Sequence, residues 1–335
     1  MTAPVAINAR ATVRSEIGGV ERVSVELVTR LPALRPDRYR VVRPPRALAH
    51  AAGQAWEQAA LPLAARASRL LLSPANLAPL AGRRNVVYIH DAAPLREPAW
   101  FGRAYGSWHR FALRRIGAGA RLLLVPSRFV ADELHRLLGV EPERIRVIPP
   151  GVDKRFVPAA GARPAGLERP YVLALGTDSA RKNLALLDRA APALAEQGLE
   201  VVVAGSDRPY LRSEPGSARR LGYVPEGELP ALYGHAAVLA MPSLYEGFGL
   251  PCVEAMACGT PVVASDAAAL PEACGGAALL ADPADPGAFA EALLAAAGPE
   301  RERLRAAGLE RARTLTWERN AELADSAVGE LLAST

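Results

Sequence analysis

Two glutamates eight positions apart, Glu246 and Glu254, stand in a run dense in glycine and proline, Pro242-Ser-Leu-Tyr-Glu-Gly-Phe-Gly-Leu-Pro-Cys-Val-Glu254. The pattern predicts a strand ending near Pro242, a loop, and a helix starting near Leu250 with Pro251 in its first turn, where proline is tolerated. Gly247 and Gly249 carry no side chain to hold a ligand off the backbone, and a helix N-terminus presents amides to phosphate. Carboxylates would repel that phosphate, so Glu246 and Glu254 are expected to accept hydrogen bonds from sugar hydroxyls on either side of a ligand. The plainer alternative is a surface loop followed by a solvated helical glutamate.

Three further segments carry candidate chemistry. Gly176-Thr-Asp-Ser-Ala-Arg-Lys-Asn183 follows a predicted strand and places the adjacent cations Arg181 and Lys182 at its carboxyl end. Arginine grips phosphate oxygens bidentately and lysine acts as a point charge, so a diphosphate is the natural partner. Two cations opening a helix are unfavourable there, which argues against a merely solvated pair. Ile17-Gly-Gly-Val20 opens a helix after the first predicted strand, and Gly18 and Gly19 let backbone approach a ligand. Val86-Val-Tyr-Ile-His-Asp91 ends a strand with His90, placed to donate to a substrate oxygen or to meet developing charge. A structural histidine is the competing reading, and it is the reading given to His50, His109, His135 and His235 on predicted helices. No HExxH, GxSxG or Walker sequence occurs, nor GxGxxG, so zinc-protease, serine-hydrolase, P-loop and nicotinamide-cofactor readings lose support.

These residues need a scaffold, and the periodicity describes one. Short apolar runs are expected as strands at Val5–Asn8, Tyr39–Arg43, Leu70–Ser73, Val86–His90, Leu122–Pro126 and Arg146–Pro149. A second series follows at Tyr171–Gly176, Val201–Gly205, Val238–Pro242, Pro261–Ser265 and Leu279–Ala281. Amphipathic stretches separate them, including Val20–Leu34, Leu48–Arg66, Gly102–Ile116, Ser127–Leu138, Asn183–Gln197 and Leu250–Ala257. Strands that are apolar throughout, rather than alternating, indicate parallel sheets covered on both faces. The expected class is α/β, with two doubly wound Rossmann-like domains facing across a cleft and ligands at the carboxyl ends of the strands. Domain boundaries are read at 1–150, with a proline-rich linker over 151–170, a second domain over 171–316 and a final helical segment over 317–335.

Composition narrows the class further. The length of 335 residues, half of them hydrophobic and 22% charged, fits two globular domains and excludes a disordered or collagen-like chain. Cys252, Cys258 and Cys274 form no CxxC pair and read as core residues in a reducing compartment. No apolar run is long enough to span a bilayer, and the first residues lack the pattern of a secretory leader. A cytoplasmic location is therefore expected. Charge is split: residues 1–152 hold 23 arginines against 11 carboxylates, a net +12, and residues 153–335 hold 17 cations against 24 carboxylates, a net −7. A basic half can meet anionic lipid, phosphorylated acceptors or nucleic acid. With aromatics at only 5% of the chain, base stacking is poorly provided for, and nucleic acid is not expected as a partner.

Taken together, the Glu246-x7-Glu254 element, the Arg181-Lys182-Asn183 run, the Gly18-Gly19 pair and His90-Asp91 resemble the retaining glycosyltransferases of family four, which have the GT-B fold. The resemblance covers nearly the whole chain and is densest from Gly176 to Ser265. It implies a hexosyltransferase that uses a UDP-, GDP- or ADP-sugar as donor substrate, with no cofactor and no metal. It implies that Glu254 holds the ribose, that Glu246 holds the donor sugar, and that Arg181 and Lys182 neutralise the diphosphate with amides of Phe248, Gly249 and Leu250. Tyr223 and Val224 would pack on the base, Gly18 and Gly19 would approach the diphosphate or acceptor, and His90 would contact the donor sugar. The final helix, containing Trp317, would return to the first domain. The expected acceptor is a glycan or a lipid-diphosphate-linked sugar in bacterial surface-polysaccharide synthesis, with the basic N-terminal half touching an anionic membrane at its inner face. Weighed beside this are a nucleotide-sugar epimerase of the same fold and a non-catalytic sugar-nucleotide-binding subunit. A pyridoxal-phosphate phosphorylase is poorly served by a chain whose only lysines are Lys154 and Lys182.

Overall fold

The computed structural model describes residues 3–13, 18–45, 53–158, 161–176, 179–205 and 218–334. Its contacts divide the chain into two compact units, the first comprising residues 1–96, 106–151 and 317–335 and the second residues 97–105 and 152–316. Among candidate positions, His50, Ile17, Thr177 and Asp178 lie outside the described residues, as do the first residues of the helix expected from Leu48.

In the first unit, β1 (Val5–Asn8), β2 (Tyr39–Val42), β3 (Leu70–Ser73), β4 (Asn85–Tyr88), β5 (Leu122–Val125) and β6 (Ile145–Val147) form one sheet in the order β2-β1-β3-β4-β5-β6. Every pairing is parallel, and Ile7 lies between Val41 and Leu72. All residues of β1, β3, β4 and β5 are buried, which is why these strands read as unbroken apolar runs. Helices α1 (Gly19–Leu34), α2 (Gly53–Ala64), α3 (Ala93–Arg96), α4 (Arg103–Gly119) and α5 (Arg128–Leu138) connect or follow them. Local sequence sets the ends of α5. Ser127 Oγ accepts from the Val130 amide at 3.2 Å, and Gly139 closes the helix at φ +64°, a conformation glycine adopts without penalty.

The second unit repeats the plan. Strands β7 (Tyr171–Leu175), β8 (Glu200–Ala204), β9 (Arg219–Gly222), β10 (Val238–Met241), β11 (Val262–Ser265) and β12 (Leu279–Ala281) run parallel in the order β12-β11-β10-β7-β8-β9. Its helices are α6 (Ala185–Glu196), α7 (Leu229–Gly234), α8 (Leu250–Ala257), α9 (Leu270–Cys274), α10 (Pro286–Ala297) and α11 (Arg301–Arg313). The order reverses between β7 and β10: the chain winds outward through β8 and β9, then restarts on the other flank of β7. Such a reversal leaves the loops at the carboxyl ends of the two strands diverging, and ligands of doubly wound sheets bind in that gap. Strand β9 and the short helix α9 have no counterpart in the sequence reading. The proline-rich stretch expected as a linker counts with this unit, because Phe156 and Leu167 are buried in its core.

The last helix, α12 (Trp317–Ala333), belongs to the first unit. Trp317, Ala321, Ala324 and Val328 join the same buried cluster as Val23, Leu27 and Leu31 of α1. Asp325 on the same helix accepts from Arg38 at 2.6 Å and from the Tyr39 hydroxyl at 2.8 Å. No described helix is long and apolar enough to cross a membrane.

Candidate active site

The reversal point of the second sheet is where the predicted cations and the first glutamate meet. Lys182 Nζ lies 2.7 Å from Glu246 Oε1 and Arg181 Nη1 lies 3.3 Å from Glu246 Oε2. Arg181 Nη1 also donates to the Tyr245 carbonyl at 3.0 Å, and the Leu244 amide donates back to the Arg181 carbonyl at 2.9 Å. Loops more than 60 residues apart in sequence are thus laced together through both main chain and side chain. Burial pushes the Glu246 carboxyl up, but the Lys182 and Arg181 charges together overcome it and hold its pKa at about 2. Two cations against one carboxylate leave the cluster one positive charge in excess.

Backbone geometry explains how the cations arrive there. After β7, Gly176 takes φ +139°, and a β-carbon on it would sit 2.7 Å from Lys182 Cε. The lysine stem crosses the glycine because nothing stands in the way. The chain then makes a 3-10 turn over Ala180–Lys182 and leaves it through Asn183 in the left-handed region at φ +52°. Asparagine tolerates that conformation, and here its amide is also used: Nδ2 donates to the Pro242 carbonyl at 3.1 Å and the Pro283 carbonyl at 2.8 Å. Asn183 therefore pins the loops after β7, β10 and β12 to one another. On the other loop, Gly249 at φ +110° precedes α8, and a β-carbon on it would meet Leu270 Cδ2 at 2.6 Å. Glycine lets the amino end of α8 press against α9.

The remaining predicted residues fall in distinct places. Glu254 lies one turn inside α8, buried, and its Oε2 accepts from the Tyr233 hydroxyl at 2.8 Å. Phe248 is buried in the core and Leu250 packs at its edge, so this loop offers main chain rather than side chain. Tyr223 and Val224 follow β9, two strands away from β7; Tyr223 is 46% exposed and Val224 packs on the core. The structure does not bring Tyr223 or Val224 into the Lys182–Glu246–Arg181 cluster. Trp100, grouped with the second unit, tilts against Tyr245 with ring centroids 6.0 Å apart.

In the first unit, Gly18 and Gly19 sit at the amino end of α1, and the Gly18 amide is engaged by Glu21 Oε2 at 3.2 Å. His90 lies beyond β4, which ends at Tyr88 rather than continuing to His90 as expected. The ring is buried; Nε2 lies 2.8 Å from the Pro74 carbonyl, so Nε2 carries the proton and donates to that carbonyl. Burial lowers its pKa and favours the neutral ring. Its proton at Nε2 is thus directed at Pro74, and Nδ1 is the acceptor face. His135 bonds the Val140 carbonyl at 2.9 Å and His235 the Gly161 carbonyl at 3.3 Å, which are structural uses. The three cysteines are free and buried in the second core.

Several residues around these positions carry no signal of their own in the sequence. Asn183 was visible only as the end of a motif, and Tyr233 looked like part of a helix interior. Asn8, Arg10, Glu57 and Ser73 converge near the carboxyl ends of β1 and β3, the reversal point of the first sheet. Asn8 Nδ2 donates to Glu57 Oε1 at 2.6 Å, and Arg10 Nε lies 3.2 Å from the same oxygen. No spacing rule links position 8 to position 57, so only the fold reveals them.

Comparison with known proteins follows the same division. The model described as "Glycosyltransferase Family 4" matches residues 17–156, and the one described as "Glycosyl transferases group 1" matches residues 169–298. The O-antigen chain mannosyltransferase B of Escherichia coli is 32% identical over 256 residues, covering 70% of this chain and 67% of that protein. The chain spans between 41% and 67% of the length of the curated relatives it matches. Among solved structures, sucrose-phosphate synthase from Thermosynechococcus elongatus superposes with a TM-score of 0.77 at 22% identity, over 99% of this chain and all of that one. Anabaena Alr3699/HepE, solved in complex with UDP and glucose, gives 0.71 at 16% identity over 99% of this chain and all of its own.

Proposed function

The chain belongs to the family-four glycosyltransferases of GT-B fold, and from that premise we propose that it moves a hexose from a nucleoside-diphosphate sugar to a hydroxyl of a glycan or lipid-linked acceptor. The observation that carries this reading is the Lys182–Glu246–Arg181 cluster at the β7/β10 reversal. Breaking a sugar–diphosphate bond raises negative charge on the leaving phosphate and positive charge at the anomeric carbon. Cations already held in place by Glu246 meet the new negative charge without having to reorganise, which stabilises the transition state more than the ground state. Arg181 and Lys182 then do the work of a metal ion, and the transfer is metal-independent. The amides of Phe248, Gly249 and Leu250, at the amino end of α8, add their partial positive charge.

In this scheme Glu246 receives hydroxyls of the donor sugar and Glu254 those of the ribose, while Tyr223 and Val224 flank the base. His90 would offer Nδ1 to a hydroxyl of the donor sugar, and Gly18 and Gly19 would admit diphosphate or acceptor to the amino end of α1. The departing phosphate takes the acceptor's proton on the face it leaves, so configuration is retained. The glutamates are binding groups, not the acid and nucleophile of a glycosidase. UDP bound to the Anabaena neighbour supports a nucleotide donor, and the Escherichia coli relative's role in O-antigen supports a surface-polysaccharide acceptor.

A membrane location at the inner face fits a lipid-diphosphate acceptor. What supports it is the stretch Pro98–Ala131, which contains six arginines and no carboxylate. On α4, Phe111 is 53% exposed, with Arg110, Arg114 and Arg115 around it at one-turn or neighbouring spacing. A basic helical face carrying an exposed aromatic suits an anionic interface.

The test is thermal unfolding against UDP, GDP, ADP and their sugar conjugates, with Glu254→Ala in parallel. A ligand at a hundred times its Kd adds about 2.7 kcal/mol of stability. One base is expected to raise the melting temperature of the wild type and not of the variant. A flat response to all of them overturns the donor assignment.

A further inference from the structure

Glu254 can grip a ribose only if its carboxylate plane is fixed, because two vicinal hydroxyls reach two oxygens at one orientation. A glutamate has three rotatable bonds and, buried as this one is, it needs a partner to fix the last of them. Tyr233 on α7 is such a partner: its hydroxyl donates to Glu254 Oε2 at 2.8 Å. The tyrosine itself cannot move: it is fully buried and packs edge-on to Phe156, with ring centroids 5.7 Å apart at 72°. Its carbonyl accepts from Thr260 Oγ1 at 2.7 Å, and Thr260 lies just beyond α8, the helix that carries Glu254. Both ends of the residue are thus tied to the same helix and its exit. A carboxylate has about four lone-pair directions, and the phenol takes one of them.

We propose that Tyr233 is the positioning residue for nucleoside recognition, setting the Glu254 carboxylate so that the enzyme reads a ribose diol. The proposal rests on the reading that Glu254 receives the ribose. It concerns affinity for the sugar of the nucleotide and not the bond being broken. Removing the phenol oxygen takes one hydrogen bond from the Glu254 carboxylate while the core keeps its shape, so the carboxylate is held less firmly and contact with the diol weakens.

The experiment compares UDP, GDP and ADP with their 2′,3′-dideoxy counterparts as ligands of wild type, Tyr233→Phe, Glu254→Gln and Thr260→Val. In the wild type the ribonucleotide is expected to bind more tightly than the dideoxy form. The expected result is that Tyr233→Phe cuts that preference by about fivefold, the size of one hydrogen bond, with turnover at saturating donor changed less than KM. Thr260→Val, which removes the other hydrogen bond to Tyr233, keeps the preference. Should Tyr233→Phe fail to fold, Tyr233→Met, which fills most of the ring's volume without a hydroxyl and leaves Glu254 unchanged, reads the same ratio. A wild-type preference in Tyr233→Phe alongside a lost one in Glu254→Gln overturns the positioning role alone. A preference intact in Glu254→Gln overturns the ribose assignment and this proposal with it.

Discussion

At the scale of single residues, the site is organised by a carboxylate that serves cations before it serves any ligand. Glu246 neutralises part of the charge of Lys182 and Arg181 and sets their separation. With its folded pKa depressed to about 2, its ion pairs contribute stability that is fully present above the ordinary carboxylate value of about 4.3 and lost as pH falls toward about 2. Glu246 therefore stays ionised well below the ordinary carboxylate range. Lys182→Ala should lower turnover by at least about tenfold, in line with the loss of one transition-state donor, because Arg181 alone still balances Glu246 and the fold survives. Turnover near the wild-type value, measured beside an unchanged circular dichroism melt, would sink the diphosphate role of Lys182. The residue types of this cluster were legible from their spacing after predicted strands. The pairing of Lys182 with Glu246 was not, because it depends on two loops meeting. Tyr233 was illegible for the same reason: its hydroxyl matters only once α7 and α8 are neighbours.

At the scale of elements, both sheets follow from apolar runs, and β1, β3 and β12 occupy the residues that the pattern marks out. The pattern is weakest where burial is incomplete. Strand β9, Arg-Arg-Leu-Gly, lies on an exposed edge and has no apolar run to betray it. Helix α9 spans five residues, too short for a helical period. Ile89 continues the apolar run and so extends the expected strand to His90, yet the sheet pairing stops at Tyr88. Positions of α8 and α9 depend on one glycine. Gly249→Ala should destabilise the second unit by about 1–3 kcal/mol, through strain at φ +110° and collision with Leu270. Gly119→Ala, at the end of α4 with nothing within 4 Å of its new methyl, should be neutral or slightly stabilising. Equal melting temperatures for the two variants would remove the conformational argument.

At the scale of the whole molecule, the net +5 conceals halves of +12 and −7, and the positive half gathers arginine on a helix that also exposes Phe111. Charge near an anionic surface contributes about 1 kcal/mol per arginine and is screened within a Debye length. Co-sedimentation with phosphatidylglycerol vesicles at low salt should therefore fall sharply in Arg114→Glu/Arg115→Glu and in high salt. Phosphatidylcholine vesicles should bind neither form; equal binding to both lipids would remove the membrane reading. The placement of α12 bears on a different stage in the life of the protein. Domains made first on the ribosome ordinarily fold first. Here the first unit lacks Trp317, Ala324 and Val328 from its core until α12 is made. The second unit, its sequence finished by Thr316, can close earlier. The half translated first therefore completes its core only after the half that follows it in sequence has been made.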